Sequence, residues 1–170
     1  MITGAVLLLA ACETTPAPYP VPEQSRLPEN AQPHQISKMV DMAYGDAESH
    51  FVKDIRPGGP APWHWAYKKP TVKVAMPLNE NVRYVIDFSL PQATFKDTGP
   101  VTVTFFVNDR ALGHVRYTRS GDYHFEKAVP SDWIRVDADT LLAAEVDKTW
   151  IAPEDHKELG LILSRIGLTQ

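Results

Sequence analysis

Cysteine is nearly absent. Cys12 is the single one in 170 residues, which excludes an internal disulfide and any cysteine-built metal cluster. Positive charge is also scarce: 17 Lys and Arg stand against 21 Asp and Glu, for a formal net charge of −4. Such a chain lacks the basic excess that neutralises phosphates, so no nucleic-acid partner is expected. The enzymatic signatures G-x-S-x-G, H-E-x-x-H, the P-loop and G-x-G-x-x-G are missing as well. What remains is 44% apolar and 22% charged, an ordinary globular composition of a size for one domain with a tail.

The apolar stretch over residues 2–11 carries no charged side chain. As a helix it would reach about 15 Å, roughly half a bilayer's hydrocarbon core, so it does not span as a mature helix. It has the length of a signal-peptide apolar region. Residues 1–11 are therefore read as a signal peptide. It ends in Leu9-Ala10-Ala11-Cys12, where two small residues before a cysteine suit a narrow processing site. This run resembles the lipobox of bacterial lipoproteins. The resemblance implies cleavage before Cys12, a diacylglyceryl group on its thiol and an often acylated (palmitate-type) new amine. Two or three acyl chains hold far more firmly than one, at about 0.8 kcal/mol per buried CH₂. Glu13, rather than Asp, follows the cysteine, which in that family favours the outer membrane. No Lys or Arg precedes the apolar run, a departure that an upstream start would explain. The other reading is a buried hydrophobic tail with a chance cysteine.

Six of the fifteen prolines lie before residue 34, and Pro16, Pro18, Pro20 and Pro22 alternate with other residues. That spacing fixes φ repeatedly and removes amide donors, so residues 12–33 read as an extended, stiff tether. Residues 34–68 read as an irregular extension. Ile36, Met39, Val40 and Ala43 recur at helical spacing and predict a short helix over 36–43, stopped at Gly45. Residues 51–55 are a candidate strand, and a Pro/Gly loop over 57–62 leads into an aromatic strand.

From residue 69 onward the pattern is period two. Val72, Val74 and Met76 alternate, as do Tyr84, Ile86, Phe88 and Leu90, then Val101, Val103, Phe105 and Val107. Asn108-Asp109 predicts a hairpin turn with residues 111–118 as the return strand. Tyr123, Phe125 and Lys127 begin another strand, Leu142 to Trp150 mark a later one, and residues 159–166 close the domain. Seven or eight short strands without intervening long helices predict an all-β fold. The expected form is a two-sheet antiparallel β-sandwich over residues 69–170. Val103, Phe105, Ile86, Phe88 and Val146 are the expected core.

Chemistry-bearing residues are few. Of the six histidines, His114 and His124 could oppose each other across a hairpin, but two are too few for a structural zinc site. No metal or cofactor is expected. Asp137, Asp139, Glu154 and Asp155 are carboxylates near turns, and nothing in their spacing selects a glycosidase pair. Trp63, Trp65 and Tyr67 share one face of an extended segment. In a sandwich such a face packs on the core; exposed, it would form a platform for sugar rings or for a protein partner.

The order of short motifs over residues 45–168 carries a second resemblance. The motifs are Gly45-Asp46-Ala47-Glu48, Trp63-His64-Trp65, Val72-Lys73-Val74, Val107-Asn108-Asp109, Val129-Pro130 and Asp155-His156-Lys157-Glu158-Leu159-Gly160. In this order they resemble a family of small bacterial β-sandwich domains. These domains occur alone in lipoproteins or attached to glycosyltransferases and methyltransferases of surface-glycan synthesis. Asp109 stands where Gly is usual, and Lys157 where Arg is usual, which removes a planar bidentate fork. The resemblance implies a carbohydrate-binding-like module, with Glu48, Trp63, Trp65, Tyr67 and Asp155 as ligand-binding candidates and no catalytic residue. Together these features predict a non-enzymatic lipoprotein of the bacterial outer membrane, facing the periplasm or the surface. Its partners would be the membrane, through the anchor, and a glycan. The alternatives are a scaffold lipoprotein docking on an envelope protein, and a hydrolase with an unrecognised carboxylate site. Labelling cells with a radioactive fatty acid should mark the protein, and Cys12→Ser should abolish the label.

Overall fold

The computed structural model describes residues 37–58, 61–154 and 156–170. Cys12, the tether and Asp155 lie outside the described residues. The order of elements is β1 (Met39–Asp41), a 3₁₀ turn (Ala47–His50), β2 (Phe51–Ile55), β3 (His64–Val74), β4 (Arg83–Leu90) and α1 (Gln92–Thr98). Next come β5 (Val101–Val107), β6 (Arg110–Tyr117), β7 (Gly121–Ala128), a 3₁₀ turn (Ser131–Trp133) and β8 (Thr140–Val146). The chain ends with β9 (Trp150–Ile151), β10 (Glu158–Leu159) and β11 (Leu161–Thr169).

The all-β class is as expected, but the two-sheet sandwich is not. One continuous sheet runs β6-β5-β8-β3-β11-β4-β7, with β1 added on β11 and β2 on β3, and only β9 and β10 form a separate pair. The seven strands curl into a nearly closed barrel. Its margins, β6 and β7, meet through side chains: Lys127 Nζ donates to the Leu112 carbonyl at 2.8 Å, and the Tyr117 and Tyr123 rings lie 4.3 Å apart. Alternating burial specifies one inward face per strand in sandwiches and barrels alike. It does not say which edges pair, and here edge pairing decides the architecture.

The strand that joins the halves is β3. Its first residues, His64 to Ala66, pair with β11, while Thr71 to Val74 pair with β8. A sandwich would leave β11 and β8 in separate sheets; β3, 11 residues long, carries the ladder from one to the other. The step between the two pairings is local. Against β2 the register moves from Ile55↔Ala66 to Lys53↔Thr71, so residues 67–70 of β3 stand against Asp54 alone. Pro70, with no amide to donate, sits in this step. The Lys69 amide donates to Asp54 Oδ2 at 3.2 Å, and Asp54 itself has φ of 60°, a conformation that Asp tolerates. Among the described residues, β1, β2 and the start of β3 belong to the barrel's sheet.

Two other expectations change. Residues 39–41 form strand β1 rather than part of a helix, with Met39 opposite Gly167 and Val40 opposite Ile166. Val40 and Met42 are buried, a period-two pattern that the helical spacing concealed, and the edge of β11 supplies the hydrogen bonds. The strand expected through Trp150 stops at Val146, because Asp147 turns the chain: its Oδ1 accepts from the Thr102 amide at 2.8 Å. The Asn108-Asp109 hairpin forms as expected. Both residues have positive φ, 48° and 61°, which is the type I′ geometry. Asn108 also donates from Nδ2 to the Trp133 carbonyl at 2.8 Å and accepts from the Leu141 amide at 2.9 Å, tying the turn to β8. Gly160 packs closely against Tyr67; a Cβ there would strike the Tyr67 carbonyl oxygen.

Val103, Phe105, Ile86, Phe88 and Val146 are all buried in the core. Aromatic rings fill the barrel beneath the seam. Phe105 and Phe125 stack at 3.7 Å, Phe88 meets Tyr117 edge-on at 5.4 Å, and the Tyr84 hydroxyl donates to the Ala143 carbonyl at 3.1 Å. Truncating Phe105 removes the ring that touches Tyr84, Phe88 and Phe125. Phe105→Ala should cost about 3–5 kcal/mol in a denaturant titration. Alkali should also unfold the barrel. Burial pushes the Tyr84 phenol well up, and burial followed by the neighbouring Tyr123 pushes Tyr117 to about 12. The unfolded chain loses these protons near pH ~10 while the folded chain keeps them. Stability is therefore whole below about pH 10 and falls as pH rises toward 12. Phenolate absorbance should appear together with loss of the fold.

Candidate functional site

Side chains of β3 alternate between barrel interior and exterior. His64 and Ala66 are buried, so Trp63, Trp65 and Tyr67 face outward, aligned as expected but not on the core. His64 is held inside by its Nδ1 contact with the Arg56 carbonyl at 2.9 Å and by Phe51, edge-on at 5.4 Å. Trp63 is 46% exposed, while Trp65 and Tyr67 are partly buried. Two small or polar side chains thus take the core positions and leave the larger rings on the surface.

The exterior row beside these rings crosses four strands. Trp65 is opposite Ile162 on β11, Ile162 opposite Ser89 on β4, and Ser89 opposite Asp122 on β7. An open groove of about 450 Å³ lies here, lined by Trp63, Ile162, Ser164, Ser89, Asp122 and Gln92 at the start of α1, among others. A second depression of about 430 Å³ adjoins it, reaching Asp87, Tyr123 and His124. Ser164 is there because β11 is bulged: pairing steps from Leu163↔Phe88 to Arg165↔Asp87, which leaves Ser164 extra. A bulge re-aims the side chains beside it, and bulges recur next to functional sites.

Polar groups at the groove are bonded in order. The Ser89 hydroxyl donates to Asp122 Oδ1 at 2.5 Å, a bond that uses neither the Ser89 lone pairs nor the second Asp122 oxygen. Arg165 Nε and Nη2 both reach Asp87 Oδ2 at 2.7 Å. His124 Nδ1 lies 2.6 Å from Asp87 Oδ1, and because an ionised carboxylate only accepts, this nitrogen carries the proton. On its other side His124 Nε2 is 3.7 Å from Glu126, whose Oε1 meets Arg83 Nε at 2.5 Å. The hydrogen bond from Arg83, ahead of a small opposing desolvation and the charges of Arg83 and His124, holds the Glu126 carboxyl below its usual range. The result is a ladder of alternating charge along the exterior of β11, β4 and β7.

Of the residues expected to bind a ligand, Trp63 alone lines this groove; Trp65 adjoins it through Ile162, and Tyr67 lies further along β3. Glu48 is elsewhere, in the 3₁₀ turn, where its Oε1 accepts from the Gly58 amide at 2.9 Å. Asp155 lies outside the described residues. His114 and His124 do not face each other. The strands β6 and β7 share no ladder, His114 is opposite Thr104, and His124 turns to Asp87. Among the described residues no group of three or more His, Cys, Asp or Glu is placed to hold a metal ion. Ser89, Asp122, Asp87 and Ser164 were not singled out by sequence, and His124 was weighed only as a partner of His114. All but the bulged Ser164 occupy the outward positions of alternating strands, so their exposure was readable and their convergence was not.

No known family and no curated protein matches the chain. The likeness to glycan-associated domains therefore rests on the motifs quoted for it.

Proposed function

We propose that this chain is a non-enzymatic envelope lipoprotein, anchored through Cys12, whose barrel binds glycan on the exterior of β3, β11, β4 and β7. The observation that carries this reading is the half-exposed Trp63 indole lining an open groove together with the hydroxyls of Ser89 and Ser164 and the carboxylate of Asp122. An indole face packs against the apolar C–H face of a sugar ring, while Ser and Asp side chains serve the hydroxyls at its edge. An open groove that sets hydroxyls and a carboxylate beside an indole suits a sugar, whereas a protein partner would prefer a flat apolar patch.

Hydrolysis gains no support from the same groove. Cleavage of a glycosidic bond uses two carboxyl groups across the scissile bond, commonly one protonated and one ionised. Asp87 has both oxygens engaged, by Arg165 and His124, which leaves Asp122 without a partner of that kind. The lipid anchor and outer-membrane placement rest on the amino-terminal sequence run ending in Cys12, and the alternating prolines that follow it suit a module held away from its membrane.

Trp63→Ala in the full chain tests the reading. Affinity electrophoresis through gels carrying embedded glycans should show retention of the wild-type chain and a loss of at least about tenfold in affinity for the variant. Thermal unfolding of the two should coincide, because the indole is half in solvent. Equal retention of both proteins would count against the groove.

A further inference from the structure

The two depressions share Ser89, Asp122 and Ser164, so they form one trough. It runs across the strands, from Trp63 beside β3, over β11 and β4, to His124 on β7. Three inter-strand spacings separate β3 from β7, about 14 Å in all. That length exceeds one sugar ring and accommodates a short chain of them.

The trough is selective in charge. No Lys or Arg is among the residues lining either depression, while the carboxylates of Asp87 and Asp122 both are. The guanidinium at its margin, Arg165, lines neither depression and turns Nε and Nη2 to Asp87. His124 is likewise turned to Asp87 through Nδ1. An anionic group entering here would meet the second oxygen of Asp122 with no lining Lys or Arg to offset the repulsion or its lost hydration. A neutral sugar meets no such cost. Its hydroxyls donate to that oxygen in charge-assisted bonds, and they reach the hydroxyls of Ser89 and Ser164.

Building on the glycan reading above, we propose that the trough binds a neutral oligosaccharide of two or more sugars laid across the strands, and rejects glycans bearing carboxylate, sulfate or phosphate. Trp63 stacks one ring at the β3 end, Asp122 and Ser89 hold the middle, and the chain continues toward Tyr123 and His124. This assigns specificity to Asp122, an exposed residue of β7 that is distant in sequence from every aromatic of β3.

The test uses the full chain in detergent micelles and an array of neutral homo-oligosaccharides graded from one to four sugars. Beside each stands its uronic-acid counterpart of the same linkage. Affinity for a neutral trisaccharide should exceed that for its monosaccharide by at least about tenfold, and the uronic form should bind at least about tenfold more weakly than the neutral one. Asp122→Lys should reverse the preference, favouring uronic forms. Asp122→Asn, nearly the same shape, should weaken neutral binding and narrow the gap between the two series. Equal or tighter binding of uronic forms by the wild-type chain, or no gain with length, overturns this inference while leaving the glycan reading in place. Failure to bind any glycan in either series overturns both.

Discussion

Everything in this barrel depends on β3 being shared. One strand of 11 residues hands the hydrogen-bond ladder from β11 to β8, and residues 67–70 absorb the mismatch between the two registers. Burying a strand that changes partners leaves backbone groups to satisfy, and each such group left alone costs about 1–3 kcal/mol. The chain resolves this with Pro70, which has no amide, and with Asp54, whose carboxylate takes the Lys69 amide. Lys69 itself stays engaged at the same place: its Nζ lies 4.1 Å over the Phe106 ring and 3.6–3.7 Å from Asp109 and Glu145. The joint also fixes where the aromatic residues of β3 point. The alternation that puts His64 and Ala66 inside puts Trp63 and Trp65 outside, beside β11.

The groove inherits its order from the sheet. Asp87, Ser89, Asp122 and His124 are the outward residues of two strands whose inward residues, Phe88, Tyr123 and Phe125, pack the core. Packing and binding are therefore coupled through register. A slip of one residue between β4 and β7 would bury Asp122 and His124 and expose the rings, so the core that holds the register also holds the groove. The charge ladder from Arg165 to Arg83 adds cross-strand bonds on the exposed side, where each is worth little singly but all share one alignment.

Much of the fold was legible in the residues. Alternation located most of the strands and five core positions, and Asn108-Asp109 announced its turn because both residues tolerate positive φ. The joining of those strands was not legible. Whether Val72 and Ala66 lie in one sheet or two depends on which edges meet after collapse, and local alternation is silent on that. Met39 and Val40 misled for a related reason: a strand of three residues is too short to show a period, and its hydrogen bonds come from a partner more than a hundred residues away. The site was half legible. Three aromatics on one face could be read from their spacing, but the core claimed the small residues between them instead. Asp122 and Ser89 are separated by 33 residues, and only the pairing of β4 with β7 brings them into one row.

The seam between β6 and β7 is the one place where the cylinder lacks a ladder among the described residues. Two open margins are normally an invitation to neighbouring molecules, since any extended segment finds unsatisfied amides and carbonyls there. Lys127 withdraws that invitation by placing its ammonium on the Leu112 carbonyl, and Gly113 leaves it the room to do so. Wherever copies of the barrel are crowded together, this guards against edge-to-edge polymerisation: a visiting strand would have to displace a charge before it could dock.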